Sequence, residues 1–288
     1  MSTEAAGGAS GTITDAWRVD AHLRRLAGLV LPRLREIAAH RERLIVSSKS
    51  AAYDLVSDAD RSIEASLWEE THLAFPEDGF LGEEQGWRQG PTRRRDWVVD
   101  PIDGTVNFVN GLPWACCAIA ALGADDARAG AVIDPFREEV YLTSSPDGGS
   151  ELNGEPMKVA TAGDLAGKVV LLEVPSGCEP RVLDPVARSV LGHGGSSRMM
   201  GSGALALALV AAGRAQAVVH AGPCIWDVAA GVALVRHAGG VVLGGTGPYD
   251  RGAPGPLVAG NAESCQVLQE ALAQCDLSSL TSSPGAFF

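Results

Sequence analysis

The chain has 288 residues, 46% of them hydrophobic and only 5% aromatic, with a formal net charge of -12. That length allows one large domain, or two closely packed ones, with an ample core. The acidic balance argues against a nucleic-acid partner, which would need a basic surface, and no apolar run is long enough to cross a bilayer.

Two patterns of secondary structure divide the chain. Residues 13–160 predict an α+β half, because helices come first and a meander of strands follows. Residues 161–276 predict an α/β half, because strands and helices alternate there. The first 12 residues are rich in Gly, Ala, Ser and Thr and are expected to be disordered, and residues 277–288 are expected to form a frayed tail.

Two helices are predicted at the start of the first half. Thr14 or Asp15 caps a long helix that carries apolar residues on one face. Asp58 or Asp60 caps the next helix, which ends before Pro76. Strands are then predicted from period-two patterns and turn signals at residues 80–84, 97–99, 114–122, 131–133 and 139–143, and Asn153-Gly154 predicts a turn before another strand.

The second half alternates between the two kinds of element. Strands are predicted at residues 169–173, 198–200, 217–220, 241–243 and 257–259. Helices are predicted between them, at residues 185–191, 204–212, 226–238 and 262–275.

Two carboxylates, Asp100 and Asp103, follow the apolar run at 97–99, where a short helix is predicted to begin. Pro101 stiffens the turn between them, and Gly104 lets the backbone approach a ligand closely. Carboxylates at one strand end repel each other unless a cation lies between them, and Mg2+ prefers oxygen ligands. A turn and helix cap built from Asp-Gly-Thr explains the same residues without a metal.

Three other acids, Asp60, Glu83 and Asp227, also lie at the ends of predicted elements. Each has a simple explanation: Asp60 as a first-turn acid, Glu83 as part of a solvated turn, and Asp227 as a helix cap. Singly, each of these acids is ambiguous, and only their combination with the Asp100 stretch is informative. A bound cation would also offset the negative charge that otherwise disfavours a phosphorylated substrate.

Taken together, these motifs resemble the inositol monophosphatase family, part of a larger superfamily of lithium-sensitive, Mg2+-dependent phosphatases. In chain order they are D-L-V-S-x-A-D, which ends at Asp60; G-E-E, with Glu83; D-P-I-D-G-T-V-N-F, from Asp100; and W-D-V-A-A-G, with Asp227. The segment L-N-G-E-P lies between the last two. The resemblance covers about residues 15–275. It implies a layered αβαβα sandwich of the sugar-phosphatase type, in which α+β and α/β parts combine.

The resemblance implies two to three Mg2+ ions and a set of ligands for them. Glu83 and Asp100, with the backbone carbonyl of Ile102, would bind the first ion. Asp100, Asp103 and Asp227 would bind the second. A third, more weakly held ion would lie near Glu83 through water, which gives that residue a catalytic role as well.

The resemblance also implies a catalytic pair and a phosphate cradle. Thr105, hydrogen-bonded to Asp60, would orient and activate the attacking water. Gly104 and Thr105 would offer N–H groups to the phosphate, and Glu84 is expected to be a neighbour of the site without being a ligand. Substrate contacts are implied for Asp103, Gly104, Thr105, Ser202, Gly203, His220 and Asp227.

Two positions depart from the family pattern around the substrate. Gly203 stands where Ala is usual, and His220 stands where inositol-specific members usually carry a Glu that holds sugar hydroxyls. His220 can donate to a hydroxyl, meet an acidic substrate group or simply pack against its neighbours.

The resemblance implies a Mg2+-dependent phosphomonoesterase that hydrolyses a small polyol, cyclitol or sugar phosphate, such as inositol-1-phosphate, by attack of a metal-activated water. Alternatives are a histidinol-phosphate phosphatase, a biosynthetic sugar or aminocyclitol phosphatase, and a nucleotide 3'-phosphatase. An alternative of another class is a regulatory member with a macromolecular partner. Lithium sensitivity and a homodimer are further expectations from the resemblance.

The six cysteines form no C-x-x-C pair and no zinc-like spacing with histidine. We expect them to be reduced core thiols of a cytoplasmic protein. The N-terminus also lacks the charged region and apolar core of a signal peptide.

Overall fold

The structure is a computed structural model that describes residues 8–49, 54–91, 95–123, 127–144, 149–161, 163–175, 178–244, 247–248 and 255–277. Its helices are α1 (Gly8–Ala39), α2 (Asp58–Ala74), α3 (Thr105–Asn110), α4 (Asp184–Gly192), α5 (Gly203–Ala211), α6 (Ile225–His237) and α7 (Ala262–Leu272). Its strands are β1 (Val46–Ser48), β2 (Leu55–Ser57), β3 (Gly79–Gly82), β4 (Gly86–Arg88), β5 (Asp96–Asp103), β6 (Cys116–Leu122), β7 (Ala127–Asp134), β8 (Glu139–Ser144), β9 (Gly149–Leu152), β10 (Glu155–Met157), β11 (Val169–Glu173), β12 (Ser196–Arg198), β13 (Ala217–His220), β14 (Val241–Gly244), β15 (Gly247–Pro248) and β16 (Leu257–Gly260).

In the described part of the chain, two large sheets contain most of the strands. One has eight strands in the order β10-β9-β8-β7-β6-β5-β3-β4, and all neighbours are antiparallel except β3 and β5. The other has six strands in the order β12-β11-β13-β16-β14-β15, with β11 parallel to both of its neighbours. Strands β3 to β10 belong to the eight-stranded sheet and strands β11 to β16 to the six-stranded sheet. We therefore propose that the boundary between the two halves of the chain lies between β10 and β11.

The helices form three layers around these sheets. The apolar faces of α1 and α2 pack on one face of the eight-stranded sheet. Between the two sheets lie α5 and α6, and α4 and α7 cover the outer face of the six-stranded sheet. This order of layers confirms the αβαβα sandwich.

The middle layer is built from small side chains, which explains the low aromatic content. The side chains of α5 are buried on nearly all sides, because the helix is enclosed by two sheets and α6. Gly130 of β7 faces the backbone of Ala230 in α6, and a Cβ atom on Gly130 would lie 2.7 Å from the Ala230 carbonyl oxygen. Small residues therefore set the close approach of α6 to the eight-stranded sheet.

Several predicted element ends are corrected by the structure, among them β3, which ends at Gly82, and α7, which ends at Leu272. α1 begins at Gly8, so residues 8–12 are helical where disorder was predicted, and Asp15 lies within the helix, where its carboxylate pairs with Arg95 instead of capping a helix end. The cap of α2 is Ser57. The strand predicted at 198–200 ends at Arg198, because the next amides bond to a side chain instead of a neighbouring strand. No prediction was made for the short strands β1, β2, β4, β9 and β15. Residues 1–7 and the predicted tail from 278 onward lie outside the described residues.

Each of the six cysteines lies within the described residues and is a free thiol, as predicted. Three of them are buried, whereas Cys178, Cys224 and Cys275 are half-buried, so the prediction of core positions is wrong for these three. Among the helices that the structure describes, none is both long and apolar enough to cross a membrane.

A buried histidine predicts how stability responds to acid. His22 of α1 is 5% exposed and lies edge-on to Phe75 and Trp97, with its Nε2 atom 3.2 Å from the Thr71 hydroxyl. Burial, reinforced by the charge of Arg25, lowers the pKa of His22 to about 4 from 6.5. Below pH 6.5 the unfolded chain therefore binds a proton at His22, whereas the native protein does not bind it until about pH 4. The free energy of unfolding thus decreases as the pH falls from 6.5 to about 4.

We expect this effect to cost about 3 kcal/mol of unfolding free energy between pH 7 and pH 4. Chemical denaturation of the wild-type protein and of His22→Gln across this range measures it, and the variant is expected to lose correspondingly less stability on acidification. Parallel pH profiles for the two proteins would contradict the assignment.

Candidate functional site

The acids from separate motifs meet at the end of β5. The strand runs through Asp103 and pairs with β6, with an irregular register between Asp100 and Asp103. The predicted strand was shorter and ended before Asp100, so the structure corrects its end. Pro101 is tolerated at this break because a residue there needs no ladder hydrogen bond. The irregularity lets Asp100 and Asp103 turn toward the same side although they are three positions apart.

Asp100, Asp103 and Asp227 form a compact cluster. Each offers a carboxylate oxygen, and these oxygens lie within 4.8 Å of one another. Asp100 is 2% exposed and Asp103 is 7% exposed. The Oδ1 atom of Asp100 is buried and has no hydrogen-bond partner among the described residues. A buried acceptor without a hydrogen bond destabilises the native state unless a ligand binds to it.

The electrostatics of the cluster favour a bound cation. Burial, followed by the charges of Glu83, Asp103 and Asp227, raises the pKa of Asp100 well above its usual range. Burial also raises the pKa of Asp227, and the charges of Asp103 and Glu83 add to it. Burial raises the pKa of Asp103 to about 6, although hydrogen bonds from Ser202 and Ala204 oppose the shift. Oxygen donors that repel one another at this range fit a hard divalent cation such as Mg2+.

Glu83 reaches this cluster from the turn after β3. Its Oε1 atom accepts a hydrogen bond of 2.8 Å from Lys49, and Lys49 also binds the Oε1 atom of Glu84 at 2.5 Å. Burial, partly opposed by Lys49, raises the pKa of Glu84 to about 7. The sequence patterns predicted no contact for Lys49, so this one was not expected. The scarcity of lysine in the chain is the signal that could have found it.

Asp60 and Thr105 come together from two helix starts. The Thr105 hydroxyl lies 3.4 Å from Asp60 Oδ1 and 3.0 Å from the carbonyl oxygen of Ile102. Asp60 is fully buried, and its other oxygen accepts hydrogen bonds from the backbone N–H and the hydroxyl of Ser57. Asp60 is thus a first-turn acid of α2 and a neighbour of Thr105 at once, so the two interpretations of its position are compatible.

Asp227 likewise combines a helix-end role with a place in the site. Its Oδ2 atom accepts the backbone N–H of Cys224 at 2.8 Å, because Asp227 is the third residue of α6 and Cys224 is its cap. The sequence analysis considered Asp227 as the cap itself. The capping contact leaves the Oδ1 atom of Asp227 available to a ligand.

Asp103 is held by the start of α5. Its Oδ2 atom accepts the Ser202 hydroxyl at 2.6 Å and the Ala204 backbone N–H at 2.7 Å. The buried thiol of Cys116 lies 3.7 Å from the same oxygen. These donors fix the orientation of the Asp103 side chain through its Oδ2 atom. The Ser202 hydroxyl hydrogen is used by Asp103.

Gly104 needs both its backbone conformation and its lack of a side chain. Its φ angle is +89°, in the left-handed region that favours glycine. A Cβ atom there would lie 2.7 Å from the carbonyl oxygen of Trp114 and 3.1 Å from that of Gly201. Gly104 therefore lets the start of α3 pack against the segment before α5.

A second buried carboxylate supports that segment. Glu173, at the end of β11, is 3% exposed and accepts the backbone N–H groups of Met200 at 3.1 Å and Gly201 at 2.9 Å. Burial raises the pKa of Glu173 to about 8, although these hydrogen bonds oppose the shift. The sequence analysis missed this residue, since a single acid at the end of a strand carries no motif.

The two departures from the family pattern lie in contact with each other. A Cβ atom on Gly203 would lie 3.1 Å from both Cδ2 and Nε2 of His220, so the missing side chain makes room for the ring. Burial lowers the pKa of His220 to about 3, so the ring is neutral at physiological pH. Its Nδ1 atom accepts the Gly222 N–H at 3.3 Å, and Nε2 has no hydrogen-bond partner among the described residues. The structure thus brings His220 beside α5, outside the carboxylate cluster.

Comparison with known proteins gives a consistent result. The sequence model of a family described as the inositol monophosphatase family matches residues 16–277. An inositol-1-monophosphatase of Mesorhizobium japonicum is 36% identical over 239 residues, which are 80% of this chain and 85% of that protein. A protein of Xylella fastidiosa named Nus factor SuhB is 38% identical over 243 residues, which are 80% of this chain and 86% of that protein. The crystal structure of the extragenic suppressor protein suhB from Bartonella henselae has a TM-score of 0.83 at 31% identity, over 89% of this chain and 98% of that one.

Proposed function

Because the chain belongs to the inositol monophosphatase family, we propose that it is a Mg2+-dependent phosphomonoesterase acting on a small phosphorylated metabolite. The observation that carries this proposal is the buried cluster of Asp100, Asp103 and Asp227, with the unpaired Oδ1 atom of Asp100 inside it. An acidic protein uses such a cluster to bind phosphate only through cations, which reverse the local charge.

We propose that the site binds two to three Mg2+ ions. We propose that Glu83, Asp100 and the carbonyl of Ile102 hold the first ion, and that Asp100, Asp103 and Asp227 hold the second. When bound, Mg2+ neutralises charge on the phosphoryl oxygens and lowers the pKa of a coordinated water. The all-oxygen donor set supports Mg2+ over softer metals.

Thr105 and Asp60 are proposed to hold the attacking water and take its proton. The Thr105 hydroxyl lies between Asp60 Oδ1 and the Ile102 carbonyl, so it can accept a hydrogen bond from a water while donating its own hydrogen. Burial raises the pKa of Asp60 above its usual value, which makes the Asp60 carboxylate a stronger base. We further propose that the N–H groups of Gly104 and Thr105 face the phosphate.

The alcohol part of the substrate is proposed to lie beside Ser202, Gly203 and His220. His220 offers an N–H at Nε2 that no described residue accepts, and its ring is neutral. A neutral donor suits a hydroxyl oxygen of a polyol, cyclitol or sugar better than it suits an anion that needs a cationic partner. Of the three possible roles for His220, we therefore favour donation to a hydroxyl.

A panel of phosphate esters tests the proposal. We expect Mg2+-dependent phosphate release from at least one of inositol-1-phosphate, histidinol phosphate, a hexose phosphate and a 3'-phosphonucleotide. EDTA should abolish this release, and Li+ at tens of millimolar should inhibit it, as the family resemblance implies. Purified protein that releases no phosphate from any of these esters with Mg2+ would overturn the enzymatic proposal. Full activity in the presence of Li+ would contradict only the expected lithium sensitivity.

A regulatory role is the second candidate, because the relative from Xylella fastidiosa is named a Nus factor. The presence here of Glu83, Asp60, Thr105 and the carboxylate cluster favours catalysis, since a purely regulatory protein has no need of them. A catalytically inactive variant that still performs a regulatory function would show that both roles exist. A homodimer and a cytoplasmic location belong to the same proposal, and light scattering tests the first of them.

A further inference from the structure

Glu64 is a buried carboxylate outside the metal cluster. It lies on α2, one turn after Asp60, and is 1% exposed. Its Oε2 atom accepts the backbone N–H of Glu84 at 2.8 Å, and its Oε1 atom accepts the backbone N–H of Gln85 at 2.9 Å. Both oxygens are thus used on two consecutive amides of one turn.

Gly82 provides the space for this contact. A Cβ atom on Gly82, the last residue of β3, would overlap the carboxylate carbon and oxygens of Glu64. The backbone of Gly82 is not in the left-handed region, so glycine is required here for space and not for conformation. Any side chain at this position would push Glu64 away from the turn.

The turn that Glu64 holds carries Glu83. The last bond of the parallel ladder joins the Glu83 N–H to the Val99 carbonyl at 3.1 Å, and the next two amides have left the sheet. By accepting both amides, Glu64 sets the direction in which the chain leaves β3. That direction places the Glu83 side chain beside Asp100.

We propose that Glu64, with the space left by Gly82, is a positioning residue that aims Glu83 at the cation site. The inference rests on the proposed Mg2+-dependent function. It also gives α2 two tasks, because Asp60 at its start contacts Thr105 while Glu64 one turn later holds the Glu83 turn. Groups that orient a metal ligand typically change metal affinity by about 10- to 100-fold when they are altered.

The substitution Glu64→Gln tests the proposal with little change in shape. Glutamine keeps one acceptor oxygen but places an NH2 group against the second turn amide, where two donors face each other. We expect Mg2+ binding, measured by calorimetric titration without substrate, to weaken by about tenfold. Gly82→Ala is expected to weaken it in the same direction. The matched control is Glu69→Gln, the same change at an exposed position on α2, which should leave Mg2+ affinity unchanged.

A double variant separates positioning from general stability. If Glu64 acts through Glu83, adding Glu64→Gln to Glu83→Gln should weaken Mg2+ binding by less than twofold beyond the single Glu83→Gln variant. Unchanged Mg2+ affinity in Glu64→Gln, alongside weakened binding in Glu83→Gln, would overturn the positioning role and leave the proposed function intact. Loss of folded protein in both Glu64→Gln and Gly82→Ala would overturn it as well, by assigning the pair to fold stability. Absence of Mg2+ binding by the wild-type protein would instead overturn the proposed function.

Discussion

Replacing Asp103 with asparagine is expected to lower kcat by about 100- to 1000-fold while leaving the fold intact. The reason lies in the two sides of this side chain. Its Oδ2 atom accepts the Ser202 hydroxyl and the Ala204 backbone N–H, and an asparagine carbonyl oxygen can accept both. The asparagine NH2 group then faces the cluster, where it cannot bind a cation. The substitution therefore removes a proposed metal ligand and preserves the contact with α5.

The measurement compares steady-state phosphate release with the melting temperature. Asp58→Asn is the matched control, because Asp58 is an exposed acid whose Oδ1 atom accepts the Ile45 backbone N–H, a contact that asparagine also makes. Its activity and melting temperature should stay near those of the wild-type protein. Near-normal turnover by Asp103→Asn would refute the ligand role of Asp103.

Replacing Asp100 with asparagine is expected to change stability in opposite directions with and without Mg2+. In metal-free protein, burial and the charges of Glu83, Asp103 and Asp227 disfavour the ionised form of Asp100. Asparagine carries no charge, so the metal-free variant should melt at a higher temperature than the wild-type protein. For a chain of this size, each kcal/mol gained raises the melting temperature by about 2–4 °C.

Saturating Mg2+ should reverse this order. A bound ion at 100 times its dissociation constant stabilises the native state by about 2.7 kcal/mol. Only the wild-type protein, which keeps all the proposed metal-binding side chains, is expected to receive this full stabilisation. Scanning calorimetry of both proteins with EDTA and with Mg2+ measures the crossing. A variant that melts below the wild-type protein under both conditions would show that Asp100 is a structural residue and not a metal ligand.

The pH dependence of the metal-free comparison gives an independent check. The pKa of Asp100 is raised in the native state, so the native protein holds a proton that the unfolded chain has lost above its ordinary pKa of about 4. The cost of Asp100 to stability therefore grows as pH rises above about 4 and disappears below it. The gain in stability of metal-free Asp100→Asn over the wild-type protein should likewise grow above about pH 4 and disappear below it. An advantage that is independent of pH would point to packing instead of charge.

Local patterns predicted most of the strands and helices, and the family resemblance carried by the motifs implied the layers of the fold and the acids of the site. Strand and helix periodicity placed β11, β13 and α6 within one residue of their observed ends. This was possible because the apolar residues of a buried strand or helix face recur at a characteristic interval in the sequence. The motif around Asp100 and Asp103 was also recognisable, since its residues are adjacent in the chain. The helix start at Gly8 and the cap at Ser57 were missed, because nearby acids offered equally good caps.

The contacts that orient the site could not be read from the sequence. Lys49, Glu64 and Glu173 each act on a segment that lies far away in the chain, and none has a local signature. The contact between Gly203 and His220 is of the same kind, because it depends on how α5 packs against β13. Each is a single polar or small residue whose partner is chosen by tertiary packing.

The order of residues along the chain was sufficient to predict the layered architecture and to identify the acids of the candidate site, from which the phosphate chemistry is proposed. Those features depend on periodicity and on motifs in which the reacting groups are near neighbours. Tertiary structure alone decided which carboxylate oxygens lie near one another, which of them accept hydrogen bonds from backbone amides, and that the His220 ring packs beside α5. These depend on distances between β5, α2, α5 and α6, which only the packing of the two sheets sets.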